Sequence, residues 1–72
     1  MNIVDQLCEA ARELPGTNDM DDREVLKYVA DHYDGGFTAF VAWALDEPNW
    51  EEVRGALANR YGHGFAAALL KE

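Results

Sequence analysis

The sequence contains no serine, and Cys8 is the single cysteine among its 72 residues. Without serine the chain lacks the nucleophile of a Ser-His-Asp triad and the serine that an acidic helical carrier protein needs for phosphopantetheine. One cysteine excludes an intrachain disulfide, which small secreted domains commonly need. The first residues also lack the basic segment that begins a signal peptide. We therefore expect a cytoplasmic protein.

Basic residues are scarce as well. Six Lys and Arg stand against fourteen Asp and Glu, which gives a net charge of −8. Six scattered basic residues are too few to neutralise a phosphate backbone or an anionic lipid surface, so direct nucleic-acid and membrane-surface binding are not expected. The longest uncharged stretch, residues 35–45, is about half of the ~20 residues that a membrane-spanning helix needs. We predict no membrane partner.

Helical spacing is what the sequence does contain. Apolar residues recur at intervals of three and four, and Pro-Gly, Gly-Gly and polar turns separate the segments. This pattern predicts one all-α domain over residues 1–72, a compact small bundle of about five helices. The predicted helices occupy residues 2–14, the segment between the turns at 17–19 and 35–36, and residues 37–45, 50–61 and 65–70. A chain this short is near the lower size limit for an unassisted core, which favours a partner or a homo-oligomer.

An internal repeat with a period of 28 residues is also predicted. Residues 21–44 laid over residues 49–72 give seven identities in 24 pairs, where composition alone would give roughly two. The pattern divides the chain into an N-terminal helix (1–16) and two tandem helical hairpins (19–46 and 47–72). Asp21 and Asn49 are the expected N-caps of the two units, and Gly36 and Gly64 the expected left-handed residues of their turns.

The first unit has larger apolar residues than the second. Tyr28, Phe40 and Trp43 stand where the second unit has alanine or lysine. Two interpretations remain open at this stage. Either the N-terminal helix covers this face as part of the core, or the face stays exposed and anchors a partner or an oligomer, since large apolar patches rarely stay bare on monomers.

Catalytic and metal chemistry are weakly supported by the sequence. Cys8 falls on the apolar side of the first helix, where a thiol is shielded and its pKa rises. His32, Asp34 and His63 flank the glycine turns but lack the paired spacing of a metal site. The acids of residues 19–24 fail the spacing of a calcium loop and suit the first turn of a helix instead. We expect no enzyme activity, no cofactor and no metal.

Several acidic residues have no role in the predicted fold. Asp5, Glu9 and Glu13 form a row at i, i+4 and i+8, which costs a few tenths of a kcal/mol per pair and is only partly relieved by Arg12. The predicted electrostatic binding residues are Asp5, Glu9, Glu13, Asp21, Asp22, Glu51 and Glu52. A simple interpretation is solubility. The more specific hypothesis is that the acids steer the protein onto a basic partner, such as a nucleic-acid-binding protein.

This profile suits a non-enzymatic acidic interaction protein that blocks a basic surface. Inhibitors of phage or mobile-element type, including nucleic-acid mimics, and antitoxin or immunity-type proteins have such a profile, although the comparison is one of class only. The alternative is a homo-oligomeric structural or adaptor module. In that case Tyr28, Phe40 and Trp43 form a self-complementary interface and the acids keep the assembly soluble.

Overall fold

The computed structural model describes residues 2–71 and confirms an all-α small bundle of five helices. The helices are α1 (Ile3–Ala11), α2 (Asp22–His32), α3 (Gly36–Leu45), α4 (Trp50–Tyr61) and α5 (His63–Leu70). None of these helices is long and apolar enough to cross a membrane.

Two predicted N-caps are confirmed. The Asp21 carboxylate accepts a hydrogen bond from the Glu24 backbone N–H at 2.8 Å, and the Asn49 side-chain oxygen accepts one from the Glu52 N–H at 3.2 Å. Each cap satisfies a backbone donor that has no partner within its helix. The starts of α2 and α4 are therefore fixed by the side chains that precede them.

The first helix is shorter than predicted. It ends at Ala11 rather than Leu14. Beyond Ala11 the backbone hydrogen bonds span three residues instead of four: the Glu13 N–H donates to the Ala10 carbonyl and the Leu14 N–H to the Ala11 carbonyl. The buried Thr17 hydroxyl donates to the Leu14 carbonyl at 2.9 Å and holds this turn. Glu13 therefore lies beyond the helix, and the predicted row of three acids is not continuous on α1.

The 28-residue repeat is not confirmed. Three residues connect α2 to α3, whereas Gly62 alone connects α4 to α5. The left-handed glycines of the first turn are Gly35 and Gly36, but in the second turn φ is positive at Gly62. Gly64, the predicted equivalent of Gly36, lies inside α5. Relative to α2 and α3 shifted by 28 residues, α4 ends one residue later and α5 starts one residue earlier, which shortens the second connection by two residues.

The core lies between α1 and the two helical pairs, and α1 packs against α2, α3 and α4. Its buried apolar residues are Val4, Leu7, Cys8, Ala11, Val25, Leu26, Val29, Phe37, Phe40, Val41, Val53, Leu57, Ala66, Leu69 and Leu70. Phe40 is fully buried, and its ring contacts those of Tyr33, Phe37 and Trp43 at centroid distances of 5.6, 5.8 and 6.1 Å. Phe40 is therefore part of the core, the first of the two interpretations for this residue, because the helices around α3 already cover it.

The other two residues of that aromatic face are more accessible. Trp43 is 57% exposed, and Tyr28 is half-buried. Trp50, which the sequence pattern places with the buried residues Val53 and Leu57, is 38% exposed. The aromatic face is thus divided, with Phe40 in the core and Trp43 at the surface.

Candidate functional site

Four of the predicted electrostatic residues meet on one surface. Asp5 and Glu9 come from α1, Asp21 is the N-cap of α2, and Asp22 is its first residue. These side chains border two adjoining open depressions, which Arg12, Arg23 and Arg60 also line, and Asp5 and Asp22 border both. We call Asp5, Glu9, Asp21 and Asp22 the acidic surface.

An ion pair joins this surface to the end of α4. Arg60 Nη1 donates to Asp5 Oδ1 at 3.0 Å, and both side chains are exposed to solvent. The hydrogen bond to Asp5 is the main cause of a raised pKa for Arg60. An exposed pair of this kind contributes little to stability because solvent screens it. It offsets the Asp5 charge without burying it.

A second arginine organises the loop of residues 12–21. The Arg12 guanidinium donates to the carbonyl oxygens of Thr17 at 3.1 Å and Met20 at 2.8 Å, and to Asp22 Oδ1 at 3.0 Å. The fork of donors on one planar group suits this combination of acceptors. Arg12 therefore fixes Asp22 next to α1 and partly neutralises it, a role that the sequence analysis did not assign to it.

The remaining predicted acids form no ion pair within residues 2–71 and are exposed. They are Glu9, Glu13, Asp21, Glu51 and Glu52. Glu9 and Asp21 belong to the acidic surface. Glu52 borders a separate depression beside Asn2 and Ile3, and Glu13 follows α1 in the turn. The structure thus brings together four of the seven predicted acids and leaves the others outside this surface.

Cys8 lies beneath the acidic surface. Its side chain is 5% exposed, and burial raises the pKa of the thiol to about 11, with the negative charge of Asp22 adding to the effect. The predicted rise in the Cys8 pKa is confirmed. The thiolate is the nucleophilic form of cysteine, so burial makes Cys8 less reactive than an exposed cysteine.

The two histidines lie apart from this surface. The His32 ring stacks on Tyr28 with a centroid distance of 4.3 Å, and its Nδ1 is 3.0 Å from the Tyr28 carbonyl oxygen. His63 is exposed at the first position of α5. Across residues 2–71, no group of three His, Cys, Asp or Glu side chains is placed to hold a metal ion.

No family model, curated protein or solved structure matches this chain. A functional interpretation of the acidic surface depends on its own residues. The sequence identified its carboxylates but missed the contacts of Arg12 and Arg60. Arg60 is 55 positions from Asp5, and no local spacing indicates a contact over that separation. For Arg12, the Pro-Gly turn indicated a loop but not which carbonyls would face the guanidinium.

Proposed function

We propose that this chain is a non-enzymatic binding protein whose acidic surface docks on a basic surface of a partner protein and blocks it. The basic surface that suits it best is the groove of a nucleic-acid-binding protein, where carboxylates take the place of phosphates. An inhibitor of phage or mobile-element type, or an antitoxin or immunity-type protein, would act in this way.

The observation that supports the proposal is the meeting of acids from two separate segments. Like charges brought together on one surface weaken folding slightly, and here the cost is only partly offset, because Arg12 and Arg60 pair with Asp22 and Asp5. Glu9 and Asp21 are exposed and form no ion pair within residues 2–71, and Asp21 also caps α2. Such a field raises the association rate with a cationic surface and weakens as salt is added.

The two arginine pairs also define how the surface would bind. They hold the Asp5 and Asp22 carboxylates in fixed positions before any partner arrives, and a preorganised surface loses less side-chain entropy on binding. Cationic side chains of the partner would then bind beside carboxylates that are already positioned. We expect the exposed Glu9 and Asp21 to govern the association rate. Asp5 and Asp22, which pair with arginines, are expected to fix the orientation of the bound partner.

A capture experiment tests the proposal. Tagged protein is incubated with a lysate of the source organism and washed at about 50 mM and about 500 mM salt, a range over which exposed charges become strongly screened. We expect one basic protein to be retained at low salt, released at high salt and displaced by added duplex DNA.

Two charge-reversal variants test whether capture depends on the acidic surface. Glu9→Lys changes the acidic surface by two charge units and is expected to abolish capture. Asp34→Lys makes the same charge change beside Tyr28 and Pro15, outside the acidic surface, and is expected to retain it. Equal loss with both variants, or retention that is independent of salt, would contradict the proposal.

A second candidate function is the homo-oligomeric module, which the 57% exposure of Trp43 favours. Phe40 is part of the core and Tyr28 stacks on His32, so an interface here would depend on Trp43. Trp43→Glu separates the two functions, because a folded variant with an unchanged sedimentation coefficient at all concentrations removes an oligomer that depends on Trp43.

A further inference from the structure

A cleft of about 400 Å³ lies between α2 and α5. Its floor is apolar and consists of Ala30 from α2 and Phe65, Ala68 and Leu69 from α5. Leu69 is buried, Phe65 is half-buried and Ala68 is exposed. The two helices therefore leave part of their apolar surface uncovered along the line where they meet.

Four charged side chains of α2 border this cleft: Arg23, Glu24, Lys27 and Asp31. All four are exposed, and none of them forms an ion pair with another residue in the range 2–71. The Arg23 guanidinium lies 5.0 Å from the centre of the Phe65 ring, at the edge of the floor. The cleft thus has an apolar floor and an edge of charges of both signs that form no ion pair in the described part of the chain.

The order of these charges is symmetric about Lys27. Arg23 precedes Lys27 by four residues and Asp31 follows it by four, so the two opposite charges lie about 6 Å to either side of it along the helix axis. A second α2 that crosses antiparallel at Lys27 would place Arg23 of each copy against Asp31 of the other. Lys27 of each copy would then lie within one turn of Glu24 of the other. A twofold axis thus forms two Arg23–Asp31 pairs, and the two Lys27 side chains that meet at the axis each have a Glu24 within one turn.

We propose that the cleft between α2 and α5 is a self-association surface whose occupant is a second copy of this chain, related by a twofold axis near Lys27. Such an interface is self-complementary, as closed dimers require. It covers the floor formed by Phe65 and Leu69, and a typical interface of about 800 Å² per partner would take less than a fifth of the 4485 Å² surface. The dimer gives this small domain the additional burial that its size calls for.

Charge reversal tests the pairing. Sedimentation velocity is run on the full chain up to about 1 mM, where even weak dimers are populated. The wild type is expected to be dimeric at the upper concentrations. Arg23→Asp and Asp31→Arg each place like charges opposite one another, so each is expected to weaken dimerisation by about tenfold or more.

The two variants also suit the helix to which they belong. Aspartate in the first turn of α2 and arginine in its last turn both complement the helix dipole. Circular dichroism is expected to show folded proteins, so that loss of the dimer cannot be attributed to loss of the helix.

Mixing the two variants provides the deciding measurement. An equimolar mixture of Arg23→Asp and Asp31→Arg restores opposite charges across the twofold axis, so a heterodimer is expected where each variant alone is monomeric. Glu9→Arg, on the acidic surface, serves as the control and is expected to leave the dimer intact. A wild type that stays monomeric at about 1 mM, single variants that dimerise normally, or a mixture that stays monomeric would each overturn the proposal.

Discussion

Asp5 and Arg60 are separated by 55 positions in the chain, and their side chains meet at 3.0 Å. The contact joins the first helix to the last turn of α4 at the edge of the acidic surface. Arg12 makes a similar contact with Asp22 but also donates to two backbone carbonyls of its loop. The two arginines therefore form the same type of ion pair and differ in what else they bind.

This difference predicts unequal losses of stability. Arg60→Ala is expected to leave the free energy of unfolding almost unchanged, because an exposed ion pair contributes little. Arg12→Ala is expected to cost about 1–3 kcal/mol, since it leaves two partly buried carbonyls without their donor. Urea unfolding measures both. Arg12→Lys should recover little of the loss because an ammonium lacks the planar fork of donors, and full recovery would contradict the assigned role.

The aromatic residues of α3 are expected to respond oppositely to truncation. Phe40→Ala removes a fully buried ring and is expected to cost about 3–5 kcal/mol. Trp43→Ala removes a side chain that is 57% exposed and is expected to change stability by less than about 1 kcal/mol. Thermal or urea unfolding of the two variants compares them directly. Similar losses would place Trp43 in the core with Phe40.

Alanine substitutions at two glycines, Gly35 and Gly55, are expected to change stability in opposite directions. Gly35 has φ +93°, and a Cβ added there would lie 2.8 Å from the Ala39 Cβ, so Gly35→Ala is expected to destabilise the fold by about 1–3 kcal/mol. Gly55 lies inside α4 with open space around it, and Gly55→Ala is expected to stabilise by about 0.5–1 kcal/mol. Denaturation midpoints distinguish the two cases. A stabilised Gly35→Ala protein would show that the left-handed turn before α3 is not required.

The Cys8 thiol predicts a loss of stability at alkaline pH. Folding raises its pKa to about 11, from about 8.5 in an unfolded chain. As pH rises above about 8.5 the unfolded state loses the proton first, so the free energy of unfolding falls between about pH 8.5 and 11, by about 2–3 kcal/mol. Cys8→Ala is the control. Tyr61, whose pKa burial also raises, contributes to both proteins, so parallel pH profiles would contradict the prediction.

Much of the fold could be predicted from local patterns. The helix starts depend on the N-caps Asp21 and Asn49, and the helix ends depend on the glycines that follow them. These signals act over one or two turns, and the helices formed where they indicated. The end of α1 could not be predicted in this way. It depends on the buried Thr17 hydroxyl bonding back to Leu14, an interaction that requires the loop to be folded already.

The candidate site was less predictable because it depends on distant contacts. Sequence spacing identified Asp5 and Glu9 as neighbours on one helix, but only the packing of α1 against α2 and α4 brings Asp21, Asp22 and Arg60 to them. Phe40 illustrates the same limit. Its neighbours in the sequence are compatible with both burial and exposure, and the packing of α1 against α3 decides between them.

The single-residue connection between α4 and α5 also has a kinetic consequence. With a connection of one residue, little chain entropy is lost when α4 and α5 pack together. The three-residue connection between α2 and α3 is nearly as short. Helical domains dominated by such local pairings fold in about microseconds to milliseconds. We therefore expect the two hairpins to form early and the docking of α1, which requires ordering of the ten-residue loop before α2, to limit the rate at which the native core closes.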